Sequence, residues 1–246
     1  MKSEIFVNTP YLALKEYLEV IPDSFQGLGY ELHSGRNELR VIIVKGQLMV
    51  VKYFKRITWA NRLIYSTVRK SKARRSFENS LRLLSLGIST PEPIAYIDIY
   101  ENGLLSKSFY ICLFADYLPV KDLFYQPLAE SEEGLKAFAR FTYKLHQAGI
   151  YHNDYNLGNV LFDQEGVFYD FSLIDNNRMS FSKYSKQRGF KNLQRLQLPL
   201  DKAGIVGVEY ARVSQSEGLS SLLAMILFRI QFRNRNWLKR KLKALF

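Results

Sequence analysis

The chain lacks several things, and each lack excludes something. It carries one cysteine, Cys112, in 246 residues, so it can form no internal disulfide and build no cysteine-ligated zinc site. Cys112 reads as a small core residue, and the composition suits a reducing compartment. Long hydrophobic runs are missing. The longest late stretch, LLAMILF at 222–228, falls far short of the roughly 20 residues that span a bilayer. The opening MKSEIFVNTPYLALKEYL has no uninterrupted apolar segment after a basic start, so it does not read as a signal peptide. No internal repeat and no low-complexity linker interrupts the chain.

Acidic residues are absent from two long stretches. Between 52 and 75 there is none, against Lys52, Lys55, Arg56, Arg62, Arg69, Lys70, Lys72, Arg74 and Arg75. After Glu217 there is none, against Arg229, Arg233, Arg235, Lys239, Arg240, Lys241 and Lys243. The whole chain has 35 Lys and Arg against 23 Asp and Glu, a net charge of +12. Such a chain favours polyanions. The tail mixes Leu, Ile, Phe and Trp with cations at helical intervals, the pattern of a helix that lies in an anionic lipid interface. A core-packed helix with a wet basic face gives the same pattern, and nucleic acid is the weakest of the three readings.

What is present is globular. Hydrophobic residues make up 47% and charged residues 24%, enough to bury a sizeable core in one large domain or two lobes. GYELHSG, ELRVIIV and QLMVVKYF read as three strands, the last two joined by a tight Lys45–Gly46 turn. Residues 58–86 read as one helix stopped by Gly87, and STPEPIAYIDIY and KSFYICLFADYL as two further strands. ESEEGLKAFARFTYKLHQAG, from about 129, is an amphipathic helix ending at Gly149, and NVLFDQEGVFYDFSLID is a hairpin. Helices and connections follow from about 184. This order predicts a strand-rich first lobe and a helical second lobe with a cleft between them. The boundary falls near 115, giving lobes at 1–115 and 116–246.

The stretch YHNDYNLGNVLF at 151–162 is too polar for a core strand, yet it leads straight into one. His152, Asp154 and Asn159 stand there, and Asp175 follows sixteen residues after Asn159 at the end of FSLID. A carboxylate for a hydroxyl, with an amide and a second carboxylate as hard oxygen ligands, is equipment for phosphoryl transfer with Mg²⁺. LHQAGIYHNDYNLGNVLF resembles the catalytic loop of the protein-kinase-like superfamily, H-x-D-x-x-x-x-N after a helix ending L-H-x-x-G. The resemblance implies an α+β, bilobal protein-kinase-like fold with an antiparallel-sheet first lobe, and it implies ATP and Mg²⁺. Asp154 becomes the catalytic base and His152 the brace of the loop, while Asn159 and Asp175 become the magnesium ligands. Lys52, in the strand MVVKYF, becomes the lysine on the α- and β-phosphates, and Glu78, in RRSFENSLRLL, the glutamate that holds it. The segment Ala115, Asp116 and Tyr117 takes the adenine through backbone groups. HSGRNE, with its single Gly35, stands where a phosphate-covering loop belongs. His146 is a helix-end packing group rather than a catalyst.

The departures narrow the family. Asn153 replaces the catalytic-loop arginine, Asn156 the following lysine, and LIDNNRM lacks the glycine of D-F-G. No A-P-E motif follows Asp175. These departures weigh against a protein kinase, the second reading. A non-catalytic nucleotide-binding or membrane-scaffold protein, the third, is opposed by the retained Lys52, Asp154, Asn159 and Asp175. The pattern is similar to the lipopolysaccharide-core sugar kinases, the Kdo and heptose kinase family, on the L-I-D-x-x-R run and on GISTPEPIAYI. The resemblance covers about residues 30–180. It implies an acidic, lipid-linked core sugar as acceptor, Kdo above all, at the cytoplasmic face of the membrane. Asp170, in YDFS, rivals Asp175 as metal ligand; the apolar run delivering Asp175 favours the latter.

Overall fold

The structure, a computed structural model, describes residues 2–55, 62, 64–66, 69–196 and 198–243, with the side chains of 219, 221, 239, 240, 242 and 243 outside that description. Arg56, Lys239, Arg240 and Lys243 of the basic stretches therefore lie outside the described side chains. Two compact units form. The first holds Met1–Asp116 and Asp175–Arg178, the second Tyr117–Ile174 and Met179–Phe246.

The first unit is a six-stranded antiparallel sheet. Its strands are β1 (Lys2–Val7), β2 (Tyr30–Ser34), β3 (Glu38–Val44), β4 (Gln47–Tyr53), β5 (Pro93–Glu101) and β6 (Leu104–Leu113). They lie in the order β1-β5-β6-β4-β3-β2. The three central-to-edge strands stand where the sequence reading puts them, and the Lys45–Gly46 turn has φ of 48° and 77° at its two residues, the geometry of a two-residue hairpin. Met49 and Val51 of β4 enter one core with Leu14, Leu18, Ile21, Phe25, Phe109 and Ile111. Val50 and Phe54 pack in the other, with Phe77, Tyr96, Tyr110 and Cys112. Each of these buried side chains contributes roughly 1.5–3 kcal/mol. Strand period therefore puts Lys52 on the second face with Phe54.

Two features of this unit depart from the sequence reading. The sequence pattern marks no element before Gly29, yet β1 pairs with β5 along the sheet edge. A 3₁₀ turn at Thr9–Leu14 and the short helices α1 (Lys15–Glu19) and α2 (Ile21–Ser24) then add Tyr11, Leu14, Leu18 and Ile21 to the first core. The helix expected over 58–86 is not continuous. Ile64–Ser66 is helical, Arg69–Ser71 is not, and α3 runs Lys72–Ser85. Ser71 decides the break: its hydroxyl accepts the Arg74 amide at 3.0 Å, an N-cap that starts a new helix. Gly87, at φ 68°, ends it as expected.

In the second unit β7 (Leu118–Pro119), β9 (Val160–Glu165) and β10 (Phe168–Leu173) make a small sheet, and β8 (Ile150–His152) pairs with β11 (Met179–Phe181). The helices are α4 (Val120–Tyr125), α5 (Leu128–Gln147), α6 (Lys186–Leu193), α7 (Leu200–Val213) and α8 (Gly218–Lys243). α5 buries Leu135, Phe138, Ala139, Thr142, Leu145 and His146, the one-sided spacing of an amphipathic helix. α8 packs on α6 and α7, with Leu222 and Met225 closing over Gly207. Leu223, Leu227, Ile230, Trp237 and Leu238 of α8 stay exposed. No helix among the described residues is long and apolar enough to cross a membrane.

Two details carry this unit toward its polar loop. Gly149 follows α5 at φ 71°, and a Cβ there would lie 1.8 Å from the Ser182 carbonyl oxygen. Only glycine allows the close approach that lets Ser182 donate its amide to the Gly149 carbonyl at 2.9 Å. His146, fully buried, sits between Tyr210 and Asn192. Asn192 Nδ2 donates to the His152 carbonyl at 2.8 Å, so its Oδ1 faces His146 Nε2 and accepts from it, and Nδ1 accepts from the Tyr210 hydroxyl. Burial pushes the His146 imidazole down to about 4.

Gly149→Ala is expected to destabilise the protein by ~2–4 kcal/mol, read as a lowered denaturant midpoint with an unchanged slope. The neutral His146 stabilises the fold fully above its unfolded value near 6.5, and that stability is lost as the pH falls from there toward 4. The gap corresponds to about 3 kcal/mol. Asp98, held up at about 6 by burial, titrates in the opposite sense nearby. The measurement is therefore the difference between parent and His146→Asn in thermal midpoint from pH 7 to 4. The parent is expected to lose its advantage across that interval, and a constant difference would contradict the assignment.

Candidate active site

In the first unit, cations gather around one aspartate. Lys52 Nζ meets Asp175 Oδ1 at 2.5 Å, with the lysine side chain 12% exposed. Asp175 stands at φ 59°, a left-handed backbone that aspartate tolerates better than most residues. The turn after it is tied down by α3. Asn79 Nδ2 donates to the Asn176 carbonyl at 2.6 Å, and Arg75 Nη1 to the Asn177 carbonyl at 3.0 Å. Asn176 Nδ2 in turn donates to the hydroxyls of Ser80 and Thr90 at 3.0 and 2.8 Å. Asn177 Nδ2 donates to Asp175 Oδ1 at 2.6 Å. The ammonium groups of Lys52 and Lys72 lie 5.4 and 5.7 Å from the centroid of the same Phe54 ring. Desolvation, then the charges of Arg178, Arg36 and Arg75, hold the Lys72 ammonium below the usual lysine range, with Asp175 acting against them. Positive charge crowds here around one carboxylate, a field that attracts a polyanion.

The second unit contributes the loop after β8. His152 Nδ1 accepts the Asp154 amide at 3.1 Å, so the ring proton sits on Nε2, which donates to the Ile174 carbonyl at 3.1 Å. The Asp154 carbonyl accepts from Asn156 Nδ2 at 3.1 Å and Asn159 Nδ2 at 2.9 Å. Asn159 thus turns its amide nitrogen inward and keeps Oδ1 as an oxygen donor. Its carbonyl accepts the Ile174 amide at 3.0 Å. Both backbone groups of Ile174 are therefore held by His152 and Asn159, one peptide bond before Asp175. The Asp154 carboxylate receives Arg195 Nη1 at 3.1 Å.

The remaining expected residues fall as follows. Glu78 does not hold Lys52. It pairs with Lys70 at 2.7 Å and with Arg74 at 3.0 Å. Desolvation opposes its ionisation, and the two cations overcome it and lower its carboxyl. The reason is local: Arg74 lies one helical turn back on the same face, whereas Lys52 is claimed by Asp175. Gly35 lies in the β2–β3 turn and donates its amide to the Asn37 carbonyl at 3.0 Å, so that amide is engaged within the turn. Ala115 and Asp116 close the first unit and Tyr117 opens the second. The Tyr117 hydroxyl donates to Asp170 Oδ2 at 2.7 Å, and that bond, with desolvation, pushes the phenol up to about 12. Asp170 sits on the exposed part of β10.

Sequence reading missed Lys72, Asn79, Asn177, Asn192 and Arg195. None lies in a motif, and no local signal marks them apart from the basic run that contains Lys72. Among the described residues no cluster of three or more His, Cys, Asp or Glu could hold a metal by itself. One Asp carboxylate and one Asn amide suit Mg²⁺, which takes few protein ligands and arrives with nucleotide phosphates.

Residues 30–239 match the model of the lipopolysaccharide kinase (Kdo/WaaP) family. Comparison with curated proteins gives no match. Among solved structures the chain is similar to WaaP in complex with acyl carrier protein, at 17% identity over 99% of both chains with a TM-score of 0.61. It also aligns with the PknI kinase domain of Mycobacterium tuberculosis, at 17% identity over 74% of this chain and 70% of that one, with a TM-score of 0.44. The WaaP likeness agrees with the fold described above, a protein-kinase-like fold with an antiparallel first unit. With the family model spanning most of its length, the chain belongs to the lipopolysaccharide kinase (Kdo/WaaP) family and is a phosphotransferase acting on a hydroxyl group.

Proposed function

We propose that the protein transfers the γ-phosphoryl group of ATP to a hydroxyl of a Kdo sugar in the lipopolysaccharide inner core. The observation that carries this reading is the clamp on Ile174. One loop supplies Asp154, orients Asn159, and through His152 and Asn159 fixes the residue before Asp175. The groups assigned to hydroxyl and metal are thereby tied to one another through the chain.

In this reading Asp154 accepts a hydrogen bond from the acceptor hydroxyl and takes its proton late. The acceptor O–H bond breaks, a bond forms from that oxygen to the γ-phosphorus, and the bond from γ-phosphorus to its bridging oxygen breaks, releasing ADP. Lys52 binds the α- and β-phosphates, and Lys72 adds a second cation. Lys52 also pairs with Asp175. Asn159 and Asp175 would hold Mg²⁺, which would neutralise phosphate charge. Asp170, bonded to Tyr117, takes no part. Glu78 keeps its helix-surface pairs and positions Lys70 and Arg74. Ala115, Asp116 and Tyr117 meet the adenine through backbone groups, and the turn at Gly35 borders the phosphates.

The acceptor is lipid-linked, and α8 suits an anionic membrane surface on its cytoplasmic side. Arg229, Arg233, Arg235 and Lys241 accompany the exposed Leu223, Leu227, Ile230, Trp237 and Leu238 with no acidic residue. Each cation near such a surface contributes about 1 kcal/mol.

With labelled ATP and purified lipid-linked Kdo core, Asp154→Asn is expected to lower kcat by about 10²–10⁴, with nucleotide affinity and circular dichroism unchanged. Retained turnover in that variant would end the assignment. Trp237 fluorescence is expected to shift blue on anionic vesicles, and the shift to fade at about 0.5 M salt. An equal shift on neutral vesicles, or none on anionic ones, would exclude electrostatic docking through α8.

A further inference from the structure

We infer that Arg195 is the residue that recognises the carboxylate of the acceptor sugar, and that Phe232 of α8 positions it. The inference rests on the acidic-sugar reading above and assigns that recognition to one side chain.

The argument begins with charge. Asp154 must approach an acceptor hydroxyl, and an acidic sugar brings its own anion to the same place. Two anions close together repel unless a cation stands between them. The loop provides none: Asn153 and Asn156, beside Asp154 in sequence, are neutral. The cation comes instead from the turn between α6 and α7. Arg195 Nη1 lies 3.1 Å from Asp154 Oδ1, and both side chains are 32% exposed. This single bond uses one of the five guanidinium donors, and the fork matches a carboxylate in two-point contact. The charge is thus partly accessible to a bound acceptor and already next to the group that orients its hydroxyl.

The guanidinium is held from behind. Its central carbon lies 5.2 Å from the Phe232 ring centroid, within the range of a cation–π contact. Phe232 belongs to α8, whose outer surface carries the cations and exposed apolar residues described above. The helix assigned to the lipid surface and the residue assigned to the acceptor anion are therefore in direct contact. Lysine cannot reproduce this arrangement, because its ammonium lacks both the planar face and the fork.

Steady-state kinetics with two acceptors tests the inference: a lipid-linked core ending in Kdo, and the same core with the Kdo carboxylate converted to its methyl ester. The parent is expected to show an acceptor KM about 10- to 100-fold lower for the acid. Arg195→Ala is expected to raise KM for the acid by a similar factor and to abolish the preference, with KM for ATP within about twofold. Arg195→Lys should restore only part of the preference. Phe232→Leu, which keeps apolar bulk but loses the ring, should raise acceptor KM several-fold, and Phe232→Tyr should not. If Arg195→Ala lowers kcat equally for both acceptors and leaves KM and the preference intact, Arg195 merely props Asp154 and the inference falls. If the parent transfers phosphate to both acceptors equally, the inference falls while the kinase reading stands. If the parent transfers to neither, the Kdo reading falls and takes the inference with it.

Discussion

Two hydrogen bonds on one residue organise this protein's candidate chemistry. Ile174 donates its amide to the Asn159 carbonyl, and its own carbonyl accepts from His152. Ile174 is otherwise an apolar residue at the end of a strand-borne run, and nothing in its side chain is reactive. Its importance is positional, since the next residue is Asp175. The His152 ring can make this bond only in one tautomer, and the Asp154 amide enforces that tautomer by occupying the other nitrogen. Behind the ring, Asn192 holds the His152 carbonyl and is itself held by the neutral, buried His146. A chain of neutral donors and acceptors thus runs from α7 to the residue before the candidate metal ligand. Neutral groups suit the task, because a charge buried along that path would be costly.

Charge is kept where a substrate can use it. Around Asp175 the cations Lys52, Lys72, Arg75 and Arg178 exceed the local anions, an arrangement that a nucleotide's phosphates and their metal would complete. Asp154, in the other unit, pairs with Arg195 at 3.1 Å. The +12 net charge is thus not a diffuse property of the surface. Part of it lies around Asp175, and part in α8.

Local motifs were legible where spacing alone sets geometry. The H-x-D-x-x-x-x-N loop, the hairpin after it and the helix before Gly149 could be read because each is contiguous and each follows one periodicity. The β2, β3 and β4 meander was legible for the same reason, with its tight turn. Residues 2–28 were not, since an edge strand with charged residues and two helices of a single turn carry little periodic signal. Order along the chain points Glu78 at Lys52, while an adjacent turn of helix offers it Arg74 first. Ser71 split the expected helix through one side-chain bond that a hydrophobic pattern cannot register.

The amino-acid sequence by itself determined the chemical inventory: which carboxylates, amides and cations exist, and the loop spacing that sets Asp154 against Asn159. Those relations span a few residues, where backbone geometry leaves little freedom. Only the tertiary structure decided which cation meets which anion. Lys52 finds Asp175 from 123 residues away, and Arg195 finds Asp154 from 41, because charge pairing depends on distances that packing sets and that sequence separation does not record.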